Sequence, residues 1–348
     1  MTPVRVLVVD DSALMREMLT SILSDDPGIQ VVGTAPDAQI ARKKIKALDP
    51  DVVTLDIEMP GMNGLSFLEK IMSLRPMPVI MVSGYTQANS DATIKALEIG
   101  AVDVVAKAKI NIDTSLNEKA DDIVEKVKAA SGANLRNRRR WLQAPSQSPA
   151  VTALNYAPNN KIVVVGASAG GVEAVSFLVR RLPKESPPIL LTQHMPSEFT
   201  GRFASRLNAS AAIQVSEARN GEKIVPGHMY IAPGDCHLEI GWDGENYVCK
   251  VDDGPPISGH RPSVDVLFSS AAEVLGDKTI GLILTGMGKD GSNGMLKLRD
   301  AGGVTFGQDE KTAVIYGMPR VAFEIGAVQH QLPLPDIPQA ILDACGKR

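Results

Sequence analysis

The sequence predicts two α/β domains in tandem, each built on a largely parallel sheet covered by helices. Three observations lead there. The chain has 348 residues, more than a single hydrophobic core usually serves. Residues 1–130 run through five short apolar, β-rich segments, each followed by a helix-like segment. The second half opens with KIVVV, which passes at once into the small-residue turn GASAGG and a helical pattern.

In the first half, strands are expected at 4–9, 29–34, 52–55, 79–82 and 103–106. The helix expected at 13–23 carries an apolar stripe of Leu14, Met15, Met18, Leu19, Ile22 and Leu23 at helical spacing. A last helix at 115–130 would close the domain with Leu116, Ile123, Val124 and Val127. Right-handed crossovers leave few topologies for five such repeats, and the flavodoxin-like order is the expected one. In the second half, strands are expected at 161–165, 188–192 and 279–284. Shorter β-rich pieces at 229–232, 237–240 and 247–251 suggest a doubly wound domain with a β-rich insertion.

Charge marks the join. Residues 1–130 carry 14 basic and 19 acidic side chains, a net charge of −5. Residues 131–150 contain Arg136, Arg138, Arg139 and Arg140 with no acid, among Gly, Pro, Ser and Gln, as a solvated tether would. Residues 151–348 carry a net charge of −3. The expected division is therefore a first domain at 1–130, a linker at 131–157 and a second domain at 158–348.

Composition excludes some functions. The net charge is −4 and aromatics are 4% of the chain, which gives no global electrostatic reason to bind nucleic acid and argues against stacking platforms for single strands. Cys236, Cys249 and Cys345 are widely spaced and lack a C-x-x-C pair, as reduced thiols in a cytoplasmic protein would be. The N-terminal apolar run meets Asp10 and Asp11 too soon for a signal peptide, and no segment reaches membrane-spanning length.

In a parallel α/β sheet, ligands bind beyond the carboxyl ends of the strands. In the first domain those ends carry Asp10, Asp11, Asp56, Ser83 and Lys107. Each residue alone has an ordinary explanation, such as a helix N-cap or a solvated lysine. Together they describe an acidic pocket. Three carboxylates repel one another, and a hard divalent cation such as Mg²⁺ relieves that repulsion. Asp56 would be the phosphoryl acceptor, Lys107 a point charge for phosphoryl oxygens and Ser83 a hydroxyl donor to them.

In the second domain Ser168 lies in the GASAGG turn, where small neighbours would let a substrate approach the backbone at a helix N-terminus. A dinucleotide loop is the competing reading, but G-x-G-x-x-G spacing requires glycine at position 168. His194 follows the strand PPILLTQ, and Asp290 sits where TIGLILT runs into a glycine-rich loop. Of the five histidines, His194 alone shares the strand-end placement of Ser168; His260 lies in a loop and could touch substrate. Serine as nucleophile, histidine as base and aspartate as its orienting partner is a triad in all but chain order, and triads are defined by geometry.

The segments VLVVDDS, TLDIEMPGMNG, VIMVSG and the lysine after DVV resemble a response-regulator receiver domain. The resemblance implies Mg²⁺-dependent phosphorylation of Asp56 by a histidine kinase. It departs from the usual pattern at Val104, where an aromatic switch residue is common, and at Ala108, where proline is usual. The blocks GASAGG, QHMP, YIAPGDCHL, HRPSVDVLFSSAA, LTGMGKDG and YGMPR resemble the chemotaxis protein-glutamate methylesterase (CheB) family. That resemblance implies hydrolysis of glutamyl γ-methyl esters on chemoreceptors and deamidation of selected receptor glutamines. It casts Ser168, His194 and Asp290 as the triad, with an oxyanion hole from backbone N–H groups at Ala169 and Met287. Ala169 stands where threonine is common, which removes a hydroxyl and keeps the N–H. No cofactor is expected for the esterase reaction, and no membrane insertion.

The expected control is occlusion, with the unphosphorylated receiver covering the Ser168 rim. Two alternatives have the same residues: a phospho-switched binding module, and an esterase acting on a partner outside chemotaxis.

Overall fold

The computed structural model describes residues 2–84, 87–107, 116–135 and 161–346. The chain divides into two compact units, Met1–Arg136 and Asn137–Arg348. Ala108 and most of the Arg-rich stretch expected as a linker lie outside the described residues.

In the first unit, β1 (Val4–Val9), β2 (Ile29–Ala35), β3 (Val52–Asp56), β4 (Val79–Ser83) and β5 (Asp103–Ala106) form a parallel sheet ordered β2-β1-β3-β4-β5. This is the flavodoxin-like order. Helices α1 (Ala13–Ser24), α2 (Ala38–Leu48), α3 (Gly64–Leu74), α4 (Gln87–Ile99) and α5 (Leu116–Ser131) alternate with the strands. Every residue of β3 and β4 is buried, as a sheet covered on both faces requires. Side chains begin the first three helices: Ser12 accepts from Met15 N, Asp37 from Gln39 N and Ile40 N, and Asn63 from Ser66 N. The α1 stripe is narrower than its pattern suggests. Leu19 and Leu23 are buried, but Leu14, in the first turn at the sheet rim, is 59% exposed.

The second unit is a seven-stranded parallel sheet ordered β14-β13-β12-β6-β7-β9-β8. Its strands are β6 (Ile162–Ala167), β7 (Ile189–Gln193), β8 (Gln214–Glu217), β9 (His228–Ile231), β12 (Thr279–Ile283), β13 (Val304–Gln308) and β14 (His330–Leu332). A separate antiparallel hairpin joins β10 (His237–Trp242) to β11 (Tyr247–Asp252). The β-rich insertion is thus this hairpin alone, because β9 belongs to the main sheet beside β7. The helices are α6 (Gly171–Val179), α7 (Ser197–Asn208), α8 (Val264–Leu275), α9 (Ser292–Asp300), α10 (Met318–Glu324) and α11 (Ile337–Gly346).

The hairpin is held to α8 by apolar packing and one polar tie. Leu238, Ile240 and Cys249 share a buried cluster with Leu267 and Phe268, and Ile240 N donates to Ser270 Oγ at 3.0 Å. The chain runs from β6 to β7, out to β8 at the edge and back to β9 between β7 and β8, and after the hairpin it crosses to β12 on the other side of β6. Strand order therefore reverses at β6, the point in such a sheet where a crevice opens.

Candidate functional site

At the rim of the first sheet one expected residue, Lys107, bridges two of the expected carboxylates. Lys107 Nζ lies 3.0 Å from Asp10 Oδ2 and 2.8 Å from Asp56 Oδ2. Asp10 and Asp56 are buried and Asp11 is exposed, and carboxylate oxygens of all three lie within 4.8 Å of one another. Burial pushes the Asp56 carboxyl up to about 6, helped by the charge of Asp10 and opposed by Lys107. Burial works against the Lys107 charge, yet its two carboxylate partners outweigh that and hold its pKa above the ordinary value. An all-oxygen cluster with two buried members fits a hard divalent cation.

Ser83, fully buried, donates to Gly84 O at 3.2 Å and accepts from Thr93 Oγ1, on α4, at 2.8 Å. Thr93 has no marker in the sequence, since its partner is ten residues away. Val104 is a buried core residue and places no aromatic ring on β5.

In the second unit, Ser168, His194 and Asp290 follow β6, β7 and β12, three adjacent central strands. Two backbone bonds join the turns: Ser168 N donates to Thr285 O and His194 N to Ala167 O, both at 3.0 Å. His194 Nε2 lies 2.8 Å from Asp290 Oδ2. Its other ring nitrogen, Nδ1, is buried with no hydrogen-bond partner. The ring stacks on His260, with centroids 3.9 Å apart and planes at 13°.

Asp290 is 1% exposed and fully engaged. Its carboxylate also accepts from Ser263 Oγ at 2.8 Å, Val264 N at 2.7 Å and Asp265 N at 3.0 Å. Burial alone would raise this carboxyl, but the His194 bond and the backbone donors outweigh it and hold it below its ordinary value.

The small-residue turn serves the protein's own packing as well as access. Gly170 has φ +75°, and a Cβ there would lie 2.7 Å from Val314 Cβ. A Cβ on Gly171 would lie 2.2 Å from Gln193 Oε1. A Cβ on Gly286 would lie 2.8 Å from Ser168 Cβ, so the turn leading to Met287 runs directly beside the serine. Thr285 ties the two turns, donating from Oγ1 to Ala169 O at 2.9 Å and accepting from Ile315 N at 2.9 Å.

Sequence reasoning did not single out Gln193, Thr285, Ser263 or Asp265, which each make contacts between elements distant in sequence. His237 is accounted for structurally: its ring nitrogens meet Pro255 O at 3.0 Å and Ser263 N at 3.2 Å. No described helix is long and apolar enough to cross a membrane.

Comparison with known proteins aligns with both units. Residues 163–341 match the model for CheB methylesterase, and residues 6–121 match that for the response regulator receiver domain. A protein-glutamate methylesterase/protein-glutamine glutaminase of Methylobacillus flagellatus is 50% identical over 342 residues, covering 97% of this chain and 96% of that protein. One of the same description from Bordetella parapertussis is 49% identical over 351 residues, covering 100% and 99%. Among solved structures, the CheB methylesterase catalytic domain of Thermotoga maritima is 40% identical with a TM-score of 0.52. It covers 53% of this chain and 97% of that one.

Proposed function

The chain belongs to the CheB methylesterase family, with a receiver domain ahead of the catalytic one, and from that premise we propose a phosphorylation-controlled hydrolase of chemoreceptor glutamyl γ-methyl esters that works through Ser168, His194 and Asp290. It is a protein-glutamate methylesterase and protein-glutamine glutaminase. Both reactions attack a γ-carbonyl and differ only in the group expelled.

The observation that carries the site assignment is the His194 ring. Asp290 engages Nε2 at 2.8 Å and leaves Nδ1 buried without a partner, an acceptor ready for the serine proton. In the first step Ser168 Oγ bonds to the side-chain carbonyl carbon while its proton passes to Nδ1. Negative charge on the carbonyl oxygen falls to backbone N–H groups at Ala169 and Met287, supported by the closeness of the Gly286 turn to Ser168. Collapse breaks the bond to methoxide, or to the amide nitrogen of a glutamine, with the proton returned from His194. Methanol or ammonia leaves. Water, deprotonated by the same nitrogen, then attacks the acyl-serine, and glutamate and free Ser168 result. Asp290 stabilises the charged imidazole between steps and is not itself protonated.

In the receiver, Asp56 is the phosphoryl acceptor, with a histidine kinase as phosphodonor. Mg²⁺ would be held by Asp10, Asp11 and Asp56. When bound, it supplies positive charge that offsets the carboxylates and the incoming phosphoryl group. Lys107, already 2.8 Å from Asp56, would neutralise a phosphoryl oxygen, and the Ser83 hydroxyl would donate to another. Control by occlusion predicts that a chain starting near residue 155 outruns the unphosphorylated full chain; equal rates would remove that form of control.

The direct test is methanol release from methylated chemoreceptor. Wild type is expected to release it, faster with a small phosphodonor and Mg²⁺, and Ser168→Ala to release none. Release by Ser168→Ala at the wild-type rate would overturn the triad.

A further inference from the structure

We propose that Gln193 is the positioning residue that sets the register between nucleophile and base; the inference rests on the roles given above to Ser168 and His194. Gln193 ends β7 and is 2% exposed. Its Nε2 donates to Ser168 O at 2.9 Å and to His194 O at 3.1 Å. One amide group therefore grips the backbone of both reacting residues, which lie 26 positions apart in sequence. The amide orientation follows from chemistry, because the reverse would set an oxygen against two carbonyl oxygens.

The rest of the side chain is arranged around that grip. Oε1 is buried and has no hydrogen-bond partner. A buried carbonyl left unsatisfied is costly, and a glutamine serving only to fill space would be replaced without loss by an apolar residue of like shape. The oxygen lies against Gly171 so closely that a Cβ there would stand 2.2 Å away. Gly171 N in turn donates to Ser168 O at 2.8 Å. Ser168 O thus receives two donors, one from the amide of β7 and one from the first residue of α6. The nucleophile's carbonyl is fixed from both sides, and its side chain is aimed by that fixed backbone. Thr285 O, accepting from Ser168 N, holds the other side of the same residue.

A positioning role predicts a particular kinetic signature. Gln193→Met keeps the length and removes both donors. It is expected to lower kcat for methanol release about 10- to 100-fold, the scale at which small misplacements of reacting groups act. KM should stay within about twofold, since Gln193 is buried and spends its amide on backbone carbonyls, and the acid limb of the pH profile should not move, since the base is unchanged. Labelling of Ser168 by a fluorophosphonate, which needs an activated serine and no receptor, should slow in parallel. Gly171→Ala displaces the amide from the other side and is expected to give the same signature. The double variant should cost no more than the worse single one, because both act on one contact.

The full phosphorylated chain is assayed, with Ser168→Ala alongside. Wild-type kcat in Gln193→Met, or a loss confined to KM, would overturn the assignment. Activity retained by Ser168→Ala would instead overturn the triad reading. If Gln193→Met does not fold, Gln193→Asn is read the same way, since its shorter amide reaches at most one of the two carbonyls. Unchanged kcat in that variant would also defeat the proposal.

Discussion

Asp265 and Asp290 cap each other's helices. Asp290, in the turn before α9, accepts from Val264 N and Asp265 N at the start of α8. Asp265, in the first turn of α8, accepts from Gly294 N in the first turn of α9 at 2.7 Å. Each carboxylate sits at the positive end of the other's helix, where backbone N–H groups lack intrahelical partners. The carboxylate assigned to orient His194 is therefore also a structural tie, and chemistry and packing share an atom, Oδ2.

Asp290→Asn separates these duties. An asparagine keeps one oxygen, and its NH₂ faces either Val264 N–H and the His194 ring, at the Oδ2 position, or Asp265 N–H and the Ser263 hydroxyl, at the Oδ1 position, so a donor meets a backbone donor either way. Methanol release is expected to fall about 10³- to 10⁴-fold, and urea unfolding to show a loss of about 1–3 kcal/mol. The pH sign follows from the lowered carboxyl. Its stabilising contribution is complete above the ordinary value of 3.8 and is lost as pH falls through the lower folded value. A variant as stable as wild type at pH 7 would mean that the capping bonds contribute nothing.

Asp265 should respond in the opposite sense to its charge. Burial raises its carboxyl above the ordinary value, and the neighbouring Asp290 charge adds to that. Asp265→Asn keeps an oxygen for Gly294 N and removes the repulsion, so its stability at pH 7 is expected to match or exceed wild type. Asp265→Ala leaves Gly294 N buried and unpaired and is expected to cost about 1–3 kcal/mol. Equal melting curves for the asparagine and alanine variants would deny the cap.

The strand ends explain how much of this was legible in sequence. In a parallel sheet, an apolar run followed by a polar residue locates the functional rim locally, so Asp10, Asp56, Ser83, Lys107, Ser168, His194 and Asp290 could be placed without knowing how strands pair. The supporting contacts were invisible for the same reason. Gln193 is one residue before His194, but its grip on Ser168 depends on β6 and β7 being neighbours. Thr93 reaches Ser83 only because α4 packs on β4. Strands β8, β13 and β14 escaped notice because QVSE and HQL carry little apolar signal and VTFGQ is broken by a glycine. The glycines of the 166–171 turn look like substrate clearance in sequence, whereas Gly166 and Gly171 also yield space to Val264 and Gln193.

The Ser83–Thr93 hydroxyl pair links the phosphoryl site proposed above to α4. If Ser83 turns toward a phosphoryl oxygen, Thr93, fully buried, loses its acceptor at 2.8 Å and α4 must adjust. With Val104 in place of an aromatic switch, this pair is a polar connection between β4 and α4 among the described residues. Thr93→Val is expected to cost about 0.5–1.5 kcal/mol in the unphosphorylated protein. It should also reduce the gain in methanol release that phosphodonor and Mg²⁺ give wild type. A full gain in Thr93→Val would place the relay elsewhere.

The receiver's acidic pocket should make its stability depend on pH and on metal in a defined direction. Asp56 titrates near 6 when folded, against 3.8 ordinarily. Below 3.8 both states carry the proton and the group makes no difference. Between 3.8 and 6 the unfolded chain ionises while the folded one does not, so stability falls as pH rises through that window and levels off above it. The full difference corresponds to about 3 kcal/mol. Asp56→Asn removes the buried charge beside Asp10 and leaves Lys107 its other partner at 3.0 Å. In EDTA at pH 7.5 it is expected to stabilise the receiver's melting transition by about 1–3 kcal/mol, and the gain should vanish toward pH 4. Mg²⁺ should raise the wild-type transition at pH 7.5 and raise that of Asp56→Asn less, because one anionic oxygen donor is gone. A receiver transition that Asp56→Asn lowers at pH 7.5 would show that Asp56 stabilises the metal-free pocket, contrary to the sign derived from its burial.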